Sequence, residues 1–344
     1  MALRKARAVA AASADVEAAA EELLAKGNAV DAVVAGVFAA SAVSPGVLLG
    51  PVQILVGGAG AGLLAIDGRV RQPGIGAPRP RGFVEGEDIP DAARVGVSWL
   101  PAALSVAIAT MGTATFAQVL APAIAAAKGS PRKDILAKIA SRGPRAIEER
   151  PMGSELLAAA GRPSGGLLTP DDLASPRPGV QKASSVTFDA AAGSARLRRV
   201  VLLPWANIED AAPAPPVANV DVARSRAVVA VDRNATFAIA VWDEATDGIM
   251  VEELGLRAPF YAEPVRRGQT RVKPGDPRAA AAAVALVGGD APEVAFAAFG
   301  ASDAYDVVAG AIRGLAQDER IEAHGHARLV ALSHAAGAAS VFRS

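Results

Sequence analysis

The sequence predicts an α+β protein in which two antiparallel sheets lie between layers of helices. Predicted helices and strands come in blocks along the chain, and the strands come in pairs that are separated by turns. A doubly wound parallel sheet would instead alternate strands and helices one by one. Half of the residues are apolar, with alanine the largest share, and only 4% are aromatic. Such a composition favours closely packed helices, and we predict one domain over residues 1–344.

Two helices open the pattern. Ser13 or Asp15 can cap a first helix, whose acidic first turn suits the helix dipole, and Lys26 and Gly27 suit its end. Apolar residues then recur at helical spacing and predict a second, buried helix: Val30, Val33, Val34, Val37 and Phe38.

A strand pair follows at 52–56 and 63–66, with Asp67 and Gly68 read as a hairpin signal. The glycine-rich run 57–62 fits neither a dinucleotide-binding nor a P-loop spacing, so we interpret it as close backbone packing. Residues 74–90 are rich in proline, glycine and arginine and predict a surface loop.

Helices dominate the middle of the chain, and strands dominate its second half. The predicted helices are at 100–110, 114–128, 132–141 and 144–160. Thr169 is expected to cap a short turn that Asp171 and Asp172 favour. The predicted strands are at 186–188, 198–203, 227–231, 237–242, 282–287, 293–299, 328–333 and 338–342. A turn is expected at 232–234, an alanine- and proline-rich loop at 211–216, and a last helix at 303–317.

Charge and composition exclude several classes of function. Lysine plus arginine equals aspartate plus glutamate, at 35 each, so nucleic acid and anionic membranes are not predicted partners. Cysteine is absent, which excludes disulfides and thiolate chemistry, and we expect no cofactor and no metal. Residues 32–66 are uncharged but are interrupted by proline and glycine, so they predict a buried helix and strand. The basic start, 1–7, lacks a following apolar region, and we expect a cytoplasmic protein.

Six segments, in order along the chain, resemble the γ-glutamyltransferase family of N-terminal-nucleophile hydrolases. They are GNAVDA at 27–32, GVS at 96–98 with LPA at 100–102, TFAQVLAPAI at 115–124, GGLLT at 165–169 with DDL at 171–173, VVAVD at 228–232 with Asn234, and FGAS at 299–302. The resemblance implies a four-layer αββα sandwich. It also implies a large-subunit-like part, 1–224, and a small-subunit-like part, 225–344.

The resemblance also implies a reaction. An active member of the family cuts its own chain before a threonine, whose hydroxyl attacks the γ-glutamyl amide while its freed α-amine acts as base. Two backbone N–H groups in a Gly-Gly turn stabilise the oxyanion. An arginine near the first hairpin pairs with the substrate carboxylate.

Four departures set this sequence apart from that pattern. Ser225 stands at the nucleophile position, where a Thr-Thr-His run is expected, and its flanking arginines suggest a surface serine at a strand entry. The segment 74–78 lacks the expected arginine, and we expect Arg69 and Arg71 to lie on a different part of the surface. Gly300 and Ala301 stand in for the Gly-Gly oxyanion turn. The stretch between Asp172 and Ser225 is short for the family.

Three hypotheses follow. The first is a catalytically degenerate homologue that acts in binding, scaffolding or assembly, as a homo-oligomer or with another protein. The second is an amidase or acyltransferase that is autoprocessed with Ser225 as nucleophile and takes a small γ-glutamyl-type ligand. The third, a metal-dependent hydrolase at His324 and His326 with Glu322 and His334 nearby, is the most distant, because surface histidines explain the cluster better.

Two further features have structural alternatives. Trp205 and Asn207 could line a residual pocket, but a tryptophan that anchors a loop explains them too. The acid pairs Glu252–Glu253 and Asp303–Asp306 are interpreted as a solvated face.

Overall fold

Two six-stranded antiparallel sheets form the centre of the molecule. The computed structural model describes residues 6–58, 60–78, 82–188, 198–205, 208–209, 212–213, 222–318 and 321–344. The first sheet contains, in spatial order, β1 (Ala8–Ala11), β9 (Ser225–Val231), β10 (Phe237–Asp243), β2 (Val52–Gly58), β3 (Gly62–Gly68) and β4 (Val180–Lys182). The second contains β16 (Ala338–Arg343), β15 (Arg328–Ala335), β14 (Pro292–Phe299), β13 (Ala283–Gly288), β6 (Arg198–Leu202) and β5 (Ser184–Phe188).

Helices cover the outer faces of both sheets. They are α1 (Ala14–Lys26), α2 (Ala29–Val43), α3 (Leu100–Met111), α4 (Phe116–Ala126), α5 (Arg132–Arg142), α6 (Met152–Ala160), α7 (Pro170–Ala174) and α8 (Ala304–Asp318). α2 packs on β9 and β10, α4 packs on α2, and α8 packs on β13 and β14. Within the described residues, two short strand pairs lie outside the two large sheets. They are β7 (Ile208–Glu209) with β8 (Ala212–Pro213), and β11 (Ile249–Val251) with β12 (Leu256–Ala258).

Three apolar cores separate four layers. The core between helices and first sheet includes Phe38, Ile54 and Val228. The core between the two sheets includes Val229 and Leu286, and the third, under α8, includes Phe296. Because successive residues of a strand face opposite sides, neighbours such as Val228 and Val229 belong to different cores. The predicted α+β class and the αββα sandwich are confirmed.

The first helix begins at its predicted cap, and the second begins at a cap that the sequence analysis does not identify. Ser13 caps α1 by accepting the Val16 N–H, and Gly27 ends it. Asn28 caps α2 by accepting the N–H groups of Val30 and Asp31 at 2.9 and 3.0 Å, while the Asp31 carboxylate accepts the Asn28 N–H. This reciprocal capping box satisfies donors that a helix otherwise leaves exposed at its start.

Two sequence predictions need correction, and two strands were missed. The hairpin turn lies at Gly60 and Gly62, which have φ of +94° and +72°, and Asp67 and Gly68 end β3 instead. The helix predicted at 144–160 is a 3-10 turn at Gly143–Ile147 followed by α6, because the Arg150–Pro151 segment interrupts it. β1 and β4 were not predicted, since both are short and depend on distant partner strands.

Some predicted features fall outside the described residues: most of the basic start (1–5), Asn207, and most of the loop at 211–216, of which 212–213 are described. Throughout the described ranges, helices are too short or too polar to cross a bilayer.

Candidate functional site

Ser225 begins β9 and faces the space between the two sheets. Its side chain lies on the same strand face as Ala227 and Val229, which belong to the intersheet core. The residue is 1% exposed, so the expected surface serine is wrong. The flanking arginines do lie near solvent, where Arg224 pairs with Asp247 and Arg226 pairs with Glu244 at 3.3 Å.

Asp243 is the cross-strand neighbour of Ser225. The two residues are paired in the β9–β10 register, and side chains at paired positions of antiparallel strands point to the same face. Asp243 is buried, and the Tyr261 hydroxyl donates a hydrogen bond to its Oδ2 atom. Burial and the neighbouring Asp243 carboxylate raise the pKa of Tyr261 well above its ordinary value, so this phenol remains protonated at neutral pH. A serine hydroxyl, a carboxylate and a phenol thus meet at this end of the sandwich.

The Gly300–Ala301 turn lies at the same end of the second sheet. Ala283 pairs with Ala298, so Gly300 lies near the start of β13. The Ala282 N–H donates to the Tyr305 hydroxyl at 2.9 Å, and burial raises the pKa of Tyr305, with a further contribution from Asp243. The positive φ of this turn, +85°, falls on Gly300, and Ala301 has no positive φ. The alanine is therefore compatible with the backbone.

Arg69 and Arg71 are held at this end by one carboxylate. Asp67 accepts from Arg69 Nε and Nη2 and from Arg71 Nη2, each at 2.9 Å. The Arg69 guanidinium lies 5.0 Å from the centre of the Trp205 ring, and that of Arg71 lies 4.1 Å from the Trp99 ring. Arg71 is 7% exposed, so the expectation that both arginines lie on a separate surface is wrong.

Asp67, Arg69 and Arg71, which we call the Asp67 cluster, are connected to the second sheet through Trp205. The Trp205 Nε1 atom donates to Gln53 Oε1 at 2.6 Å, and Gln53 Nε2 donates to the carbonyls of Ala280 and Ala281 at 3.2 Å. Gln53 on β2 pairs with Asp67 on β3 and with Val241 on β10. Val241 lies two residues before Asp243, the partner of Ser225. Sequence reasoning missed Asp67, Asp243 and Tyr261, because only the strand register reveals their proximity.

Segment 74–78, where the substrate-binding arginine was expected, has a structural role. The Asp172 carboxylate accepts the N–H groups of Gly74 and Ile75 at 2.8 and 3.0 Å, and Thr169 caps α7 beside it. Burial raises the pKa of Asp172, although its backbone hydrogen bonds oppose this. This segment is therefore fixed to the α7 turn.

The remaining candidates do not form a site. His324 and His326 precede β15 instead of alternating on a strand, and His334 lies within β15. Across the described ranges, histidine and carboxylate side chains do not cluster as metal ligands. Glu252 and Glu253 are exposed, as expected. Asp303 accepts the His326 and Ala327 N–H groups, and these bonds lower its pKa.

Comparison with known proteins shows the fold. No protein-family model and no curated protein matches the sequence. The crystal structure of cephalosporin acylase from Bacillus halodurans is 14% identical, with a TM-score of 0.72 over 98% of this chain and 96% of that chain. The structure titled LmbA2991T421A is 14% identical, with a TM-score of 0.76 over 100% of this chain and 97% of the other. The chain therefore has the αββα fold of the N-terminal-nucleophile hydrolases.

Proposed function

We propose that this N-terminal-nucleophile hydrolase-fold protein has lost γ-glutamyl transfer and acts, as one uncleaved chain, in binding or assembly. The observation that carries this proposal is that the arginines around Ser225 already pair with carboxylates of the same chain. Asp67 is the shared carboxylate partner of Arg69 and Arg71, and a tryptophan ring lies against each guanidinium. Arg224, Arg226 and Arg278 are likewise paired with carboxylates.

A substrate carboxylate would have to compete with these internal partners for the guanidinium N–H groups. Buried ion pairs lose several kcal/mol when one member is left without its counterion, about 3–5 kcal/mol in typical cases. A γ-glutamyl substrate therefore gains little from Arg69 or Arg71 while Asp67 remains in place. Since Ser225 is also covered, the arrangement supports a folded scaffold better than an open active site.

One observation favours a second candidate, an autoprocessed amidase or acyltransferase. Ser225 begins a central strand, faces the intersheet space and lies beside Asp243. In such a reaction the serine Oγ would attack the Arg224 carbonyl carbon, and Asp243 would accept the hydroxyl proton. Asp243 would return that proton to the Ser225 nitrogen as the Arg224–Ser225 C–N bond breaks and an ester forms. Hydrolysis of the resulting ester would free the Ser225 amine. Because Arg69 and Arg71 already pair with Asp67, the substrate of such an enzyme would have no carboxylate next to these arginines.

Intact-mass measurement separates the two candidates. We expect one species at 34.6 kDa and no hydrolysis of a γ-glutamyl anilide, with an unchanged mass pattern in Ser225→Ala. Two fragments split between Arg224 and Ser225, present in the wild type and absent from Ser225→Ala, would refute the scaffold and establish the second candidate.

Light scattering after size exclusion would test the proposed assembly: an oligomer supports it, and a monomer leaves binding of another molecule as the role.

A further inference from the structure

A surface pocket of about 560 Å³ lies between the segment 75–78, the segment 82–87, the turn region 162–171 and Val265. We call it the loop pocket. Its volume falls within the range of roughly 300–1,000 Å³ that is usual for small-molecule sites. It shares none of its lining residues with the cluster around Ser225.

Hydrogen bonds hold the walls of the loop pocket in place. Asp172 joins the 75–78 wall to the 162–171 wall through the N–H groups of Ile75 and Thr169, at 3.0 and 2.9 Å. The 82–87 wall is joined to the Val265 wall by two backbone bonds of 2.8 Å, from Phe83 to Val265 and from Arg267 to Phe83. Because these bonds fix the walls to one another, binding would require little reordering of the chain.

The lining is mostly apolar but carries three charged side chains, Arg162, Asp171 and Glu87, and the Glu87 carboxylate accepts the Val84 N–H at 3.0 Å. Its apolar side chains include Ile75, Pro78, Phe83, Leu167 and Val265. Arg162 and Asp171 are both exposed, and neither forms an ion pair with another described residue. They belong to different elements: Arg162 begins the 3-10 turn Arg162–Ser164, whereas Asp171 lies in the first turn of α7, against Gly76.

We propose that the loop pocket binds a short apolar peptide with free termini, of two or three residues. Arg162 would pair with the terminal carboxylate, Asp171 with the terminal ammonium, and the apolar walls would hold the side chains. Separated opposite charges around an apolar cavity complement a zwitterion better than a simple acid or a simple amine, each of which meets one like charge. This ligand specifies the binding role proposed above and rests on it.

Calorimetric titration of the full chain tests the proposal with trileucine and two derivatives, one N-acetylated and one C-amidated. We expect trileucine to bind, and each derivative to bind about tenfold more weakly, because each loses one charge-assisted contact. Arg162→Gln should remove the discrimination against the amide only. Asp171→Asn should remove the discrimination against the acetylated peptide only.

The controls keep the outcomes distinct. Arg145→Gln and Asp134→Asn change exposed charges outside the loop pocket and should leave all affinities unchanged. Ser225→Ala should also bind normally, so this test can fail independently of the mass measurement. Absence of binding at millimolar concentrations, or affinities that do not respond to either blocking group, would overturn the proposal.

Discussion

At the scale of single residues, the hydrogen bonds of Asp31 show that the GNAVDA segment at 27–32 has a structural role. Its carboxylate is fully buried and accepts the N–H groups of Asn28, Thr113 and Ala114, together with the Thr113 hydroxyl at 2.6 Å. A Cβ on Gly27 would lie 2.2 Å from Asp31 Oδ2, so only glycine fits there. This segment therefore joins α2 to the end of α3, and it has no part in the arrangement at Ser225.

Asp31→Ala should lower the free energy of unfolding by about 3 kcal/mol or more, because several buried donors lose their acceptor at once. Urea unfolding followed by circular dichroism would measure the change. Asp15→Ala, on an exposed first turn, serves as the matched control and should cost about 0.3–1 kcal/mol. Equal effects of the two substitutions would contradict the proposed role of Asp31.

Asp67 should make stability depend on pH. Burial raises the pKa of this carboxyl, but the hydrogen bonds and charges of Arg69 and Arg71 outweigh burial and hold its pKa below the ordinary 3.8. A carboxylate with a depressed folded-state pKa stabilises the fold above its unfolded pKa, and this contribution is lost as the pH falls through the folded value.

The stability difference between wild type and Asp67→Asn should therefore be largest near neutral pH and should shrink as the pH falls below 3.8. Urea unfolding at a series of pH values would measure it. Asp172 contributes in the opposite sense: since burial raises its pKa, its contribution is present below the unfolded pKa and is lost as the pH rises. A pH-independent effect of Asp67→Asn would contradict the ion-pair account.

At the scale of elements, the caps determine where the first two helices begin. Asn28→Ala removes an acceptor for two N–H groups and a donor to the Met111 carbonyl at 2.7 Å. We expect a loss of about 1–2 kcal/mol in unfolding free energy. Ser13→Ala is the matched control, with a longer cap bond of 3.5 Å, and should cost less. If Ser13→Ala costs more than Asn28→Ala, the assignment of the stronger cap is wrong.

Local patterns predicted most elements, whereas features that depend on distant partners escaped prediction. α1, α2 and the strands near 227–231 and 237–242 follow from caps and periodicity. β1 pairs with β9, more than two hundred residues away, and no local signal identifies it. Asp67 and Gly68 resemble a turn, but the arginines that follow draw Asp67 into a buried cluster.

The candidate site could likewise be predicted only where a local pattern identified a residue. Counting along the resemblance places Ser225 at the nucleophile position, and the structure places that residue at the start of a central strand. Its neighbours Asp243, Tyr261 and Gln53 come from separate parts of the chain and are joined only by register and side-chain hydrogen bonds. A single sequence carries no information about such pairings.

At the scale of the whole molecule, alanine-rich layers build a four-layer sandwich in which the chain's own side chains cover Ser225. Small residues let helices and sheets approach closely, and the intersheet core continues to Ser225 at its edge. The central claim is that this fold is retained without self-cleavage.

Intact-mass spectrometry of the purified full chain, side by side with Ser225→Ala, tests that claim most directly. We expect one species of 34.6 kDa in both samples, unchanged after prolonged incubation. Two fragments from the wild type, divided between Arg224 and Ser225 and absent from the variant, would contradict it.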